Sequence, residues 1–161
     1  MYKLMLIVLM MTVWVSVHFL QTDEEMAMKL LYQSKHALNR AAHAASQQLD
    51  PIAMADGVLR IDPAAAEAAA AAYLQANLQL DADGNPLPNS PVRERVTVLA
   101  FEVINNDRSF PYTYRNPQYE YEATLERPGV VLIIHVVYPR AFTLLGPIEW
   151  DIKGISELTV R

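Results

Sequence analysis

Cysteine is absent from this sequence of 161 residues, and glycine occurs only five times. The absence of cysteine excludes disulfide bonds, thiolate zinc sites and cysteine nucleophiles. The folded chain must therefore rely on its hydrophobic core or on neighbours in an assembly. No glycine or proline lies between positions 1 and 50, so nothing in that stretch interrupts a helix.

Charge is scarce at the start of the chain and mainly acidic elsewhere. Lys3 is the only lysine, arginine, aspartate or glutamate before Asp23, and the formal net charge is −5. Nucleic acids and anionic membrane surfaces attract basic proteins rather than acidic ones. We therefore expect no nucleic-acid partner and no docking on anionic lipid.

The longest hydrophobic run extends from Leu4 to Leu20 and reads LMLIVLMMTVWVSVHFL. As a helix this run is about 25 Å long, at the short end of a membrane span. Lys3 before it and Asp23–Glu25 after it favour a cytoplasmic N-terminus with the remainder outside. A cleaved signal peptide is the alternative, but no small-x-small cleavage site follows the run. We therefore expect an uncleaved helix that spans a membrane or is buried in an assembly.

Helical periodicity continues beyond the apolar run. Apolar and small residues recur at spacings of three and four up to Leu49, and Asp50-Pro51 supplies a stop. The pattern predicts one helix from about Leu4 to Leu49, within a segment 1–50 whose first 21 residues form the transmembrane or filament core. Its second half is amphipathic, and its stripe becomes small enough for another backbone to approach. The predicted assembly-interface residues are Leu4, Leu6, Ile7, Leu9, Val13, Trp14, Phe19, Leu31, Leu38, Ala41 and Ala45.

Residues 51–161 are predicted to form one globular head domain. Asp56-Gly57 and the weak alternation that ends at Ile61 predict a turn and a short strand. Asp62 is a good N-cap, and Pro63 suits the first helical position. A second helix should therefore follow through the alanine-rich segment, and residues 81–92 should form a loop.

Alternation of period two dominates the rest of the head. It predicts strands at 93–103 and 118–127, with a loop at 105–117 between them. The nearly continuous β-branched run 130–138 predicts a central strand that is buried on both faces. A last strand is expected at 148–160, interrupted near Gly154. The predicted fold is α+β, with a long N-terminal helix, one further helix and an antiparallel sheet of about four strands.

One segment resembles a calcium loop without matching it. Asp81, Asp83 and Asn85 occupy alternate positions, but glycine stands at the fourth place rather than the sixth. Val92 stands where the loop needs a glutamate. We therefore predict a plain turn and no metal site.

The remaining polar residues suggest no catalytic chemistry. His36 and His43 are seven residues apart, too far for a metal pair on a helix, and His18 and His135 lie in apolar segments. The chain contains no G-x-S-x-G, P-loop or G-x-G-x-x-G motif. Asp23–Glu25 should form a solvated collar outside the membrane. We expect neither an enzyme nor a cofactor.

Aromatic side chains are concentrated between positions 110 and 121. The cluster consists of Phe110, Tyr112, Tyr114, Tyr119 and Tyr121. Tyrosine is enriched at protein interfaces, so the cluster is suited to binding another subunit. It is equally suited to covering the core of the sheet.

Three stretches together suggest a family. They are the apolar start joined to YQSKHALNRAAHAASQQLD (32–50), the block IDPAAAEAAAAAYLQANLQLD (61–81) and the ending VVLIIHVVYPRAFTLLGPIEWDIKGISELTV (130–160). With a cysteine-free α+β head behind a long helix, they resemble the type IV pilin-like superfamily, in particular TadE-like tight-adherence (Tad) pilus proteins. Type IV pilins carry a glutamate at the fifth mature position, where Met5 stands here if Met1 is the mature start.

The resemblance implies a structural subunit of an extracellular filament on the cell surface. Such a subunit is inserted in the cytoplasmic membrane before assembly, with its N-terminus inside. It then forms a helical homopolymer through its apolar helix, with the help of pilus assembly machinery. The alternative is a monomeric, signal-anchored extracytoplasmic domain of a secretion or envelope complex.

Overall fold

The computed structural model describes residues 2–141 and 146–159. The fold is α+β, with a long N-terminal helix followed by a head, as the sequence predicts. The elements are helices α1 (Tyr2–Ser46), α2 (Pro51–Ala55) and α3 (Pro63–Leu78), a short 3-10 helix (Pro117–Tyr119), and strands β1 (Thr97–Ile104), β2 (Tyr112–Asn116), β3 (Tyr121–Leu125), β4 (Gly129–Tyr138) and β5 (Ile148–Glu157).

Helix α1 is continuous but has two different halves. Residues 2–22, here called the stalk, are exposed apart from the half-buried Val15. From Asp23 onward one side of the helix is buried in the head. The predicted long helix is confirmed, although it ends at Ser46 because Leu49 pairs instead with Ile61 in an isolated β-bridge.

Two Asp-Pro pairs begin the two helices that follow. Asp62 accepts hydrogen bonds from the backbone N–H groups of Ala64 and Ala65, so the predicted cap of α3 is confirmed. Asp50 caps α2 in the same way. The short strand predicted up to Ile61 is wrong, because the chain forms α2 and a turn, and only Ile61 itself makes a bridge.

The strands form two sheets rather than one. The larger sheet has the antiparallel order β1-β4-β5, and β2 pairs with β3 in a separate hairpin. The segment predicted as a loop at 105–117 contains β2, a short and partly exposed strand flanked by Pro111 and Pro117. Strand β5 continues through Gly154 without interruption, and its predicted end at residue 160 lies outside the described residues.

Strand β4 is the centre of the head, as predicted. Val130, Leu132, Ile134 and Val136 belong to the core shared with α1 and α3. The intervening residues Val131 and Ile133 belong to a second core beneath the β2–β3 hairpin. The head therefore has three layers. Because β4 lies between two cores, its central residues are shielded from solvent on both faces, which explains its continuous hydrophobic sequence.

Small residues let α1 lie close to its neighbours in the head. Ala37, Ala41 and Ala45 share the main core with Ala66 and Ala70 of α3. Side chains of one carbon leave the two helix backbones close together. The second backbone that the alanine stripe was expected to admit is thus α3 of the same chain.

Candidate functional site

The stalk carries most of the residues predicted to mediate assembly. Its members of that set are all exposed, from 57% for Val13 to 70% for Leu4: Leu4, Leu6, Ile7, Leu9, Val13, Trp14 and Phe19. Large exposed apolar surfaces on a folded protein mark contacts with other proteins or with a membrane. The stalk therefore needs an apolar partner outside its own head.

The other predicted assembly residues lie inside the chain's own fold. Leu38, Ala41 and Ala45 have no exposed surface. Leu31 is half-buried and packs against the same core. Their apolar spacing is explained by packing under α3 and the sheet, so among the predicted assembly residues those of the stalk are the exposed ones.

Polar groups within the stalk are satisfied by the helix itself. The hydroxyls of Thr12, Ser16 and Thr22 donate to the carbonyl oxygens four residues earlier, at 2.9, 2.8 and 3.0 Å. The His18 ring stacks on Trp14 with a centroid separation of 5.6 Å. A bilayer core offers no water to such groups, so internal hydrogen bonds suit a membrane-embedded helix.

Helix α1 is long and apolar enough to cross a membrane. An 18-residue window within it has a mean hydropathy of 2.0, and no part of that window is buried in the head. A soluble core helix of similar composition would be covered by its own protein. The exposed window and the internal hydroxyl bonds both fit a helix that can anchor in lipid.

The junction between stalk and head depends on Asp23. Only 5% of this residue is exposed. Its Oδ1 accepts hydrogen bonds from the Tyr138 hydroxyl at 2.9 Å and from the Ala141 backbone N–H at 3.1 Å. The neighbouring Glu24 forms an ion pair with Arg140 at 3.6 Å. Burial, together with the hydrogen bond to Asp23, raises the pKa of the Tyr138 hydroxyl.

The predicted solvated collar is thus correct for Glu24 and Glu25, which are exposed, and wrong for Asp23. A signal for this burial is present in the sequence. Asp23 lies four residues before Ala27 and seven before Leu30, on the stripe that the head buries. Asp23 is the first residue of α1 that is buried by the head.

The aromatic cluster covers the second core. Tyr114 is buried, and its hydroxyl donates to Glu102 at 2.8 Å. Phe110, Tyr112, Tyr119 and Tyr121 pack around it half-buried. Burial raises the pKa of the Tyr114 hydroxyl. Of the two roles open from the sequence, the packing favours covering the sheet core.

The calcium-like segment is a turn closed by its own aspartate. Asp81 Oδ1 accepts hydrogen bonds from the backbone N–H groups of Asp83 at 2.9 Å and Asn85 at 2.8 Å. A hydrogen bond from the Asn85 side chain, together with these backbone bonds, lowers the pKa of the Asp81 carboxyl. The predicted turn is confirmed.

Histidines are distributed over separate parts of the molecule. His135 Nδ1 lies 2.7 Å from Asp151 Oδ1 on the sheet, and His43 Nδ1 lies 3.4 Å from Ser156 Oγ. Within residues 2–141 and 146–159, no three histidine, aspartate or glutamate side chains converge on a point suited to a metal ion. The exposed stalk and its junction with the head remain the features that most suggest a function.

Comparisons with protein-family models, with curated proteins and with solved structures find no match for this chain. The geometry of the molecule is therefore the basis on which a function is proposed. Two parts of it are relevant, namely the exposed apolar stalk and the buried contacts of Asp23 that join the stalk to the head.

Proposed function

We propose that this chain is a structural, pilin-like subunit of an extracellular filament of the tight-adherence type, and that it assembles through its stalk. One observation carries the proposal. A single uninterrupted helix, α1, has an apolar stalk with every side exposed and a second half packed in a folded head. Such a subunit presents one surface for packing with its copies and another to the outside of the filament.

Before assembly the stalk lies in the cytoplasmic membrane with its N-terminus inside. Lys3 immediately before the stalk supports that orientation, and no lysine or arginine follows the stalk until Lys29. The internally bonded hydroxyls of Thr12, Ser16 and Thr22 support residence in lipid. Pilus assembly machinery would then move the stalk from lipid into the filament.

Assembly exchanges one apolar environment for another. Lipid tails and a bundle of identical helices are similarly apolar, so side-chain packing decides the preference between them. Exposure of the stalk to water is far less favourable, because each fully buried Leu, Ile or Phe side chain gains about 1.5–3 kcal/mol over its exposed state. Repeated contacts that do not close into a ring generate a helical filament.

The junction supports the proposal because a regular filament needs heads at fixed positions. Asp23 bonds to Tyr138 and Ala141, and Glu24 pairs with Arg140, so the base of the head is attached at two consecutive helix positions. A head attached in this way follows the rotation and height of its stalk. Packing of the stalks then also sets the outer surface, including any surface used for adhesion.

A second candidate is a monomeric, signal-anchored domain of a secretion or envelope complex. If a second subunit covered the alanine stripe beyond the stalk, the stripe would have no role in a simple membrane anchor, and it would count against this candidate. In this chain α3 covers the stripe, so Ala41 and Ala45 are explained without an assembly. The second candidate therefore needs only that the stalk remain in lipid.

The deciding experiment is to shear the cells, image the released fraction by electron microscopy and identify its proteins by mass spectrometry. Filaments that contain this chain, with the stalk peptide retained, support the pilin-like function. Retention of the chain in the membrane fraction, with no filament that contains it, supports the anchored domain. The N-terminal peptide also reports whether Met1 is the mature start.

A matched pair of variants tests the role of the stalk. Val8 and Val98 are both exposed, at 57% and 51%, but Val8 is in the stalk and Val98 is on strand β1. Val8→Asp places a charge in the apolar stalk and should abolish filaments. Val98→Asp should leave them. Filaments of normal yield from Val8→Asp would contradict the proposal.

A further inference from the structure

A cleft lies beside the junction, between α1 and the loops at the stalk end of the head. It has a volume of about 750 Å³ and is here called the junction cleft. Three of its lining residues are the cations Lys29, Arg93 and Arg140. Met26, Leu30 and Tyr138 give it an apolar side. Positive groups beside an apolar surface are suited to an amphipathic anion.

The positive charge of the junction cleft contrasts with the acidity of the whole chain. No aspartate or glutamate is among its described lining residues, whereas the formal net charge of the chain is −5. Arg140 pairs with Glu24, but Lys29 and Arg93 form no ion pair with any residue in the described part of the chain. Even if the buried Asp23 offsets one of these two cations, positive charge remains at the cleft.

The position of the junction cleft matches the headgroup layer of a membrane that the stalk crosses. The bilayer headgroups add about 5–8 Å on each side of the hydrocarbon core. Glu24, the partner of Arg140, lies four residues beyond Leu20, which is about 6 Å along a helix. Lys29 lies about 13 Å beyond Leu20, and lysine side chains extend several ångströms toward the headgroups.

We propose that the junction cleft binds the phosphate of an anionic lipid in the leaflet that faces the head, contrary to the expectation from the net charge that the chain would not dock on anionic lipid. The guanidinium groups of Arg93 and Arg140 suit a phosphate because their paired N–H donors match its oxygens, and Lys29 adds a point charge. Met26, which is 48% exposed, would contact the glycerol end of the lipid. The inference rests on the membrane insertion in the proposed function and is independent of filament formation.

The test uses the full chain in nanodiscs of phosphatidylcholine mixed with phosphatidylglycerol. Native mass spectrometry of the released protein counts the lipids of each kind that remain bound. The cleft variant Lys29→Gln/Arg93→Gln leaves the Arg140–Glu24 pair intact. The control Arg60→Gln/Arg127→Gln removes the same charge from exposed positions near the C-terminal end of α1, where Asp50 bonds to the Arg60 carbonyl and Arg127 lies beside Gly57.

We expect the wild-type chain and the control to retain phosphatidylglycerol in preference to phosphatidylcholine. In the cleft variant, which lacks two of the three cations, the ratio of bound phosphatidylglycerol to bound phosphatidylcholine should fall about thirtyfold. The variant Lys29→Arg/Arg93→Lys keeps both charges and should keep the preference. All of these side chains are exposed, and circular dichroism checks that each variant is folded.

Three results would overturn the inference. The first is an equal preference in the cleft variant and the wild type, and the second is an equal loss in the control. The third is saturable binding of inorganic phosphate to the detergent-solubilised chain without selection of phosphatidylglycerol, which would assign the cleft to a soluble anion. A chain that does not migrate with the nanodiscs would contradict the proposed function as well, whereas an inserted chain without lipid preference overturns only this inference.

Discussion

Helix α1 carries large apolar side chains on every side before residue 23 and a one-sided stripe of mostly small ones after it. Leu9 in the first half is 65% exposed, and Leu38 in the second half is fully buried. The backbone is the same in both halves, so the difference lies in what surrounds the side chains. A helix that is apolar all round needs partners on all sides, and within residues 2–141 and 146–159 the chain supplies partners only for the second half.

Apolar side chains have different roles in the two halves of α1. In the head, Ala41 and Ala45 bring α3 close, and Leu38 fills the space beside Gly154, where an added Cβ would lie 2.9 Å from Leu38 Cδ2. In the stalk, no element of the described part of the head packs against the side chains. Substitutions in the head half should therefore change folding stability, and the same substitutions in the stalk should change only association.

The largest effect on stability is expected from Leu38→Ala. Deleting a fully buried leucine side chain costs about 2–5 kcal/mol of folding free energy. Leu9→Ala, the matched change in the stalk, should leave the unfolding of the head unchanged and should lower filament yield. Thermal unfolding of both full-length variants in detergent, followed by near-ultraviolet circular dichroism, measures the difference. Equal destabilisation of the head by the two changes would remove the distinction between the halves.

A comparable loss is expected when the junction is cut by Asp23→Ala. Hydrogen bonds to a charged group contribute about 1.5–3 kcal/mol each, and Tyr138 and Ala141 both donate to this carboxylate. Glu25→Ala removes an adjacent exposed acid and serves as the control. The pKa of Tyr138, followed by ultraviolet absorbance, should fall toward its ordinary value in the Asp23 variant. An unchanged titration would show that Asp23 does not act on Tyr138.

Overpacking the interface between α1 and α3 should have a somewhat smaller effect. Ala41→Leu inserts carbons where the alanine has no exposed surface, at a cost of about 1–3 kcal/mol. Ala72→Leu makes the same change on the exposed side of α3 and should be nearly neutral. Urea unfolding of the two variants gives the comparison. A neutral Ala41→Leu would mean that α3 does not lie as close as described.

The smallest effect is expected at the hairpin, from Tyr114→Phe. Loss of the hydrogen bond to Glu102 should cost about 0.5–1.5 kcal/mol, and the exposed Tyr73→Phe should cost less. The pKa of Tyr114 is raised, so its folded-state contribution is present below the ordinary tyrosine value of 10.0 and is lost as pH rises through the raised value. Stability of the wild type should therefore fall above pH 10, and less steeply in Tyr114→Phe. Identical alkaline profiles would refute the burial of this hydroxyl.

Periodicity in the sequence is sufficient to predict α1, α3 and β4. Helix α1 follows from spacings of three and four, α3 from the Asp62 cap and its alanines, and β4 from a continuous β-branched run. Strand β2 could not be predicted in this way, because it is short and lies between Pro111 and Pro117 in a polar segment. Asp50-Pro51 predicts the end of one helix, and in the structure it also begins the next, as Asp62-Pro63 does.

The candidate site shows a different limit. An apolar stripe indicates that a face is buried but does not say which chain buries it, so Ala41 and Ala45 fitted an assembly as well as a core. Three consecutive acids after an apolar run usually remain solvated, so they predict exposure of Asp23, although its spacing to Ala27 and Leu30 places it on the buried stripe. The hydrogen-bond partners of Asp23, Tyr138 and Ala141, lie more than a hundred residues later in the chain, where the local pattern does not indicate them.

The absence of glycine and proline from the first 50 residues has a mechanical consequence. Helix α1 passes from stalk to head without a hinge, over a length of about 67 Å at the usual rise per residue. Tension applied to the stalk is therefore carried along one rod and spread over the whole length of its packing against α3 and the sheet. A sideways load on the head, in turn, acts on the stalk as a lever, so resistance to bending resides in the protein itself rather than in a flexible tether.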